Sequence, residues 1–189
     1  LGQMTAEGRA GAAEVTLCGD RTIFQDTYQQ LRRWGRDVVG SGVADPEAFP
    51  LLEVPNDRRG LELGVGNAAS GDGGFRALAA AIEATNKGEF DAIVTAPIAK
   101  SAWKMAGHLY PGQTEVLAQM SGCDRFGMAF VGRSPQSGWI LRTLLATTHI
   151  PLNQVPIALA PALMTQKLEL LIEHLKNDFQ LKTPTIAIA

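Results

Sequence analysis

Four side chains have the type and setting to do chemistry: Lys100, Gln113, Thr114 and His149. Gln113 and Thr114 follow a Pro111-Gly112 turn and open an apolar helical run containing Val116, Leu117 and Met120. They can simply start that helix or face a ligand. Lys100 lies in VTAPIAKSAWK, in the first turn of an expected helix, where a cation opposes the helix dipole. That misfit hints at an anionic ligand such as phosphate; the plain alternative is a solvated lysine. His149 closes LLATTH, which reads as a strand running up to Ile150-Pro151. An imidazole at a strand's carboxyl end suits metal binding or proton transfer, although a lone histidine is a weak signal.

Other candidates carry less. His174 sits in a charged helical stretch and reads as a surface residue, and His108 has no evident role. In NAASGDGGF the glycines could bring backbone N–H groups to a phosphate. The stretch lacks both a Gly-Lys-Ser/Thr ending and G-x-G-x-x-G spacing, so a loop with a helix cap is the better reading.

These residues need elements to position them. EVTLCGD (14–20) reads as a strand, and IFQDTYQQLRRWG as a helix with Phe24, Tyr28 and Leu31 inward and Gly35 at its end. PLLEVP is the one strand candidate in a Gly-, Pro- and Asp-rich region over 36–69. SGDGGFRALAAAIEATNKGEF (70–90) is the clearest helix, capped by Ser70 or Asp72, with Phe75, Leu78, Ala79 and Ile82 on one face and Gly88 closing it. DAIVTAP (91–97) is a continuous apolar run typical of a strand in a sheet covered on both faces, and its end falls where ligands bind in open α/β folds. FGMAFVG, WILRTLLATTH and TPTIAIA complete the strands. The stretch from Pro151 is mostly helical, broken early by Pro151, Pro156 and Pro161, with Leu168, Leu171, Ile172 and Leu175 inward. Strands alternating with helices predict an α/β fold with largely parallel sheets.

A chain of 189 residues can form one large domain or two small ones around a real core. The net charge of −2 gives no electrostatic reason to expect nucleic acid or an anionic membrane as partner. Cys18 and Cys123 have neither disulfide-framework nor metal-ligand spacing and read as reduced thiols of a cytoplasmic protein. No basic and then apolar leader opens the sequence, and no apolar run approaches the ~18 residues of a membrane span. The start at Leu1 and the stop inside TPTIAIA read as an internal portion of a longer protein.

VTLCGD, FDAIVTAPIAK, AGHLYPGQTEVLA and LATTHIPLNQV, in this order and spacing, resemble the 4-hydroxythreonine-4-phosphate dehydrogenase family of pyridoxal phosphate biosynthesis. The likeness runs from about residue 14 onward and is poorest over 36–69. It implies a two-domain α/β fold with an interdomain cleft, like isocitrate and isopropylmalate dehydrogenases, here incomplete at both ends. Residues 1–105 would belong to the first domain and 106–189 to the second, with an approximate boundary. The family works as a homodimer with shared active sites. It implies NAD-dependent oxidation and decarboxylation of 4-phosphohydroxy-L-threonine, assisted by a divalent metal that could be zinc, magnesium or cobalt. His149 matches the family's first metal histidine; the other two, and the remaining substrate ligands, are expected beyond Ala189. The family's substrate-contacting Gly-His-Thr-Glu reads Gly112-Gln113-Thr114-Glu115 here. Thr114 transfers directly, whereas Gln113 cannot titrate near neutral pH. That departure leaves open a relative acting on another phosphorylated hydroxy acid, or a non-catalytic homologue that binds a phosphorylated metabolite. No catalytic or NAD-contacting residue is assigned, and the 189-residue chain alone is expected to be inactive.

Overall fold

The protein's structure, a computed structural model, describes residues 13–34 and 43–189. Its packing divides the chain into two compact units, Leu1–Ser121 and Gly122–Ala189. This division falls after the approximate 105/106 boundary anticipated for the domains of the whole protein. The reason is that helices on either side of residue 105 share one core with the helix over 70–90.

In the first unit, strand β1 (Leu17–Gly19) leads into helix α1 (Arg21–Trp34). Gly35, the expected terminator, lies outside the described residues. Strand β2 (Leu51–Glu53) lies parallel to β1, with Leu17 opposite Leu51 and Gly19 opposite Glu53. Asp20 links the two strand ends. Its carboxylate accepts from Ile23 N at 3.0 Å, capping α1, and from Asn56 N at 2.8 Å, holding the loop after β2. The N–H groups of Asn56 and Ile23, in that order, hold its carboxyl below the ordinary aspartate range.

Helix α2 (Ala68–Asn86) starts earlier than expected, and its cap is Asn67 rather than Ser70 or Asp72. Asn67 accepts from Ser70 N at 3.0 Å while Ser70 Oγ accepts from Asn67 N at 3.0 Å, a reciprocal capping box. Ser70 thus takes part in the cap from inside the first turn, as the third helical residue and not as the N-cap. Gly88, with φ of 80°, ends the helix as expected. The glycines of SGDGG are interior to α2 and serve close packing. A Cβ on Gly71 would stand 2.1 Å from the carbonyl oxygen of Ala102, and one on Gly73 would stand 1.9 Å from Asn56 Nδ2. Helix α3 (Lys100–Met105) therefore lies directly against the α2 backbone. Helix α4 (Gln113–Met120) completes the core, in which Leu78, Ile82, Trp103 and Val116 are buried.

The run over 91–97 forms no strand. Among the described residues nothing pairs with it, and Val94 is 98% exposed, so apolar composition was not enough to build a ladder. Ile93 and Ile98 anchor the segment by packing on the core.

In the second unit, β3 (Ala129–Arg133) and β4 (Ile140–Leu144) form an antiparallel hairpin, so parallel pairing among the described residues is confined to β1 and β2. Pro156 stands in the first turn of the short helix α5 (Val155–Ala158), and Pro161 opens α6 (Pro161–Asn177). Leu175 is buried on α6, but Ile172 is 36% exposed and falls off the inner face. TPTIAIA is not a strand and Ile188 is exposed. Among the described residues no single helix is long and apolar enough to cross a membrane.

Two stability outcomes follow. Gly71→Ala should lose about 1–3 kcal/mol in urea unfolding, because Cβ meets the α3 backbone, although an open helix position would gain up to about 1 kcal/mol. Asp20→Ala should lose about 1 kcal/mol near pH 7. A depressed folded-state pKa gives stability that is present above the unfolded value, about 3.9, and lost as pH falls through the folded one. The gap between wild type and Asp20→Ala should therefore close on acidification.

Candidate functional site

The segment 92–99 reaches α3, and α3 reaches the start of α4 through the Tyr110-Pro111-Gly112 turn. Trp103, 1% exposed, fixes α3 in the core. Its ring meets Phe75 edge-on at 5.4 Å, and Phe75 stacks on His108 at 3.7 Å and on Tyr110 at 5.7 Å. His108 Nε2 also lies 3.0 Å from Asp72 Oδ1, so the histidine without an evident role ties the loop after α3 to α2. Lys100, one turn before Trp103, is exposed at the start of α3 and forms no ion pair among the described residues.

Gly112 is the N-cap of α4, in extended conformation, and makes no side-chain cap. The first-turn N–H groups of α4 therefore lack a capping side chain, while Glu115 supplies the acidic residue that suits this helix end. A Cβ at Gly112 would lie 3.3 Å from Glu115 Oε2 and 3.6 Å from Lys100 Nζ, so both side chains flank the turn. Gln113 turns back to the preceding segment. Its Oε1 accepts from Thr95 Oγ1 at 3.1 Å, and its Nε2 donates to the Ala96 carbonyl at 3.0 Å. Thr114, half-buried beside it, has no side-chain partner among the described residues.

Lys100, Gln113 and Thr114 thus converge on one turn, joined by Thr95 and the Ala96 carbonyl. Thr95 was legible only as part of a strand end, and its pairing with Gln113 depends on a contact between residues 18 apart.

His149 belongs to the second unit. Strand β4 ends at Leu144, so His149 does not terminate a strand. It sits exposed in a bend with φ of 56°, a left-handed conformation uncommon outside glycine. Among the described residues no three His, Cys, Asp or Glu side chains gather to hold a metal ion. His149 can supply one imidazole, and these residues do not by themselves complete a metal site. Nor do they form a dinucleotide cradle at α2, because Gly71 and Gly73 face protein atoms. His174 is half-buried, and its ring nitrogen contacts Asp178 one turn on. A cavity of about 280 Å³ lined by Leu144, Leu170, Leu171, His174 and Asp178 contains none of the four sequence candidates. Cys18 donates to the Ala77 carbonyl at 3.2 Å, and burial pushes its thiol up, so it packs rather than reacts.

The family model described as pyridoxal phosphate biosynthetic protein PdxA matches residues 11–189. The chain belongs to this family. A relative from Synechocystis sp. (strain ATCC 27184 / PCC 6803 / Kazusa), named 4-hydroxythreonine-4-phosphate dehydrogenase, is 53% identical over 100% of this chain and 54% of its own length. A Nostoc sp. (strain PCC 7120 / SAG 25.82 / UTEX 2576) relative of the same name is 52% identical over 93% of this chain and 49% of its own. A solved Salmonella typhimurium structure, provisionally assigned the same name, superposes with a TM-score of 0.64 at 26% identity. That match covers 85% of this chain and 50% of the other. The chain spans about half the length of the curated relatives it matches. The resemblance drawn from the VTLCGD, TAPIAK, PGQTE and ATTH segments therefore holds at the level of the family.

Trp103→Ala should cost about 3–5 kcal/mol in chemical unfolding, because α3 loses its only fully buried aromatic anchor among the described residues.

Proposed function

We propose that the protein carrying this chain oxidises and decarboxylates 4-phosphohydroxy-L-threonine with NAD in pyridoxal 5'-phosphate biosynthesis. The observation that carries the reading is the α4 N-terminus, which lacks a side-chain cap and has Lys100 beside Gly112. Backbone N–H groups and an ammonium at one turn suit an anionic, phosphorylated substrate. Thr114 supplies a hydroxyl at the same turn, and Gln113 stands next to it as a substrate-side amide. NAD would take the hydride and a divalent ion would polarise substrate oxygens, with His149 as one ligand and the remaining ligands supplied from outside the described residues. The left-handed backbone at His149 supports a functional position, since such conformations persist where the site requires them.

The accompanying architecture is proposed from the same family reading. It is a cytoplasmic homodimer with shared active sites, each subunit having two α/β domains with largely parallel sheets around a cleft. The boundary between these domains is proposed near residue 105, with α4 returning to pack on the core of α2 and α3. A second reading is favoured by Gln113 alone: a residue that cannot titrate fits a relative acting on another phosphorylated hydroxy acid.

The test is NAD reduction by the product of the complete gene on 4-phosphohydroxy-L-threonine, with and without a chelator. Turnover should be chelator-sensitive and lost in His149→Ala. Lys100→Ala should raise KM about ten- to a hundredfold, the range of one charge-assisted hydrogen bond. Absence of NAD reduction, or turnover indifferent to chelator and to His149, would overturn the reading.

A further inference from the structure

The Gln113 amide stands at the first position of α4, and its geometry points to what it does there. The segment 91–99 crosses the surface without secondary structure. Besides Ile93 and Ile98 on the core, the side-chain bonds that reach it among the described residues are the two from Gln113. One amide serves both, donating to the Ala96 carbonyl and accepting from the Thr95 hydroxyl. A carboxylate could not donate, an ammonium could not accept, and an aliphatic side chain could do neither. The amide keeps both roles at every pH near neutrality, and its Nε2 makes no second donation among the described residues.

We infer that Gln113 is a positioning residue, a hydrogen-bond clamp that holds Thr95-Ala96-Pro97 against the α4 N-terminus and so sets the substrate-side wall of that turn. It transfers no proton. The clamp rests on the proposed reading only for the identity of the substrate, because the two bonds exist whatever binds there. It also accounts for how a segment exposed at Val94 keeps a defined place beside Lys100.

The experiment uses the protein as wild type, Gln113→Ala, Gln113→Glu, Thr95→Val and the Gln113→Ala/Thr95→Val pair. Two readouts are taken: elastase nicking within Ala92–Ala96, and kcat and KM for 4-phosphohydroxy-L-threonine. Exposed small residues are good elastase sites once their backbone loosens. Gln113→Ala should speed nicking several-fold and raise KM about tenfold, roughly one hydrogen bond, with kcat changed far less. Thr95→Val is the mild variant that keeps the fold and should show part of both effects. The double variant should be no worse than Gln113→Ala, the non-additivity expected of two ends of one bond. Gln113→Glu keeps an acceptor for Thr95 but cannot donate to the Ala96 carbonyl at pH 7.5, so it should also nick faster than wild type. Unchanged nicking in Gln113→Ala and Thr95→Val would overturn the clamp, as would faster nicking with unaltered KM. Faster nicking in a protein whose wild type reduces no NAD would leave the clamp standing and remove the family reaction instead.

Discussion

Everything described around the Pro111-Gly112 turn depends on how closely α3 can approach α2. At Gly71 the two backbones come so near that even a methyl group would stand 2.1 Å from the Ala102 carbonyl. That approach lets the short helix carry Trp103 into the core, where it meets Phe75, and the core in turn takes Ile98 and Tyr110. Six residues are too few to hold a helix by propensity, so α3 exists because it is packed. Lys100, one turn upstream of Trp103, is thereby fixed at the rim of the site. A glycine inside α2 is thus a precondition for the placement of a candidate ligand-binding lysine.

A second constraint is the choice of polar groups that tie loops to helix starts. Asp20 joins the end of β1, the start of α1 and the loop after β2 through two backbone N–H groups. Asn67 and Ser70 cap α2 reciprocally, and Asn67 also donates to the Gly60 carbonyl at 2.6 Å. Gln113 does the comparable task between α4 and the 91–99 segment. Asp20 and Asn67 each satisfy backbone groups from two elements, and Gln113 a backbone carbonyl and a hydroxyl of one segment, so loops without secondary structure acquire definite positions. The α4 start differs in that Gly112 contributes no cap, which leaves backbone donors beside Lys100 and Thr114.

The second unit shows how unevenly the fold could be read. FGMAFVG and the start of WILRTLLATTH did become β3 and β4, and the three prolines did break the helical stretch where expected. Yet β4 stops at Leu144, five residues short of His149, and the bond from Leu145 N to the Met128 carbonyl at 3.0 Å is the last to extend its pairing. Helical period alone places Ile172 inward, whereas only the contacts of α6 decide which apolar residue of a turn is covered. Arg142 illustrates the same point from the polar side. Its guanidinium lies 4.6 Å over the Phe179 ring, and its Nε is buried without a hydrogen-bond partner among the described residues.

What the sequence determined by itself was local and chemical. Helix existence over 70–86, the closing role of Gly88, the turn at Pro111-Gly112, the proline breaks and the family motifs all rest on neighbouring residues whose backbone preferences do not depend on distant partners. The tertiary structure decided everything requiring a partner. DAIVTAP has strand composition, but a strand is a ladder, and none of the described residues pairs with it. SGDGG could have been a loop, a cap or a phosphate cradle; which one it is turned on the Ala102 carbonyl and Asn56 lying where side chains would have been. Gln113 stood out as a missing histidine, and its meaning came from Thr95 and Ala96, since hydrogen bonds between distant residues are set by packing and not by spacing along the chain.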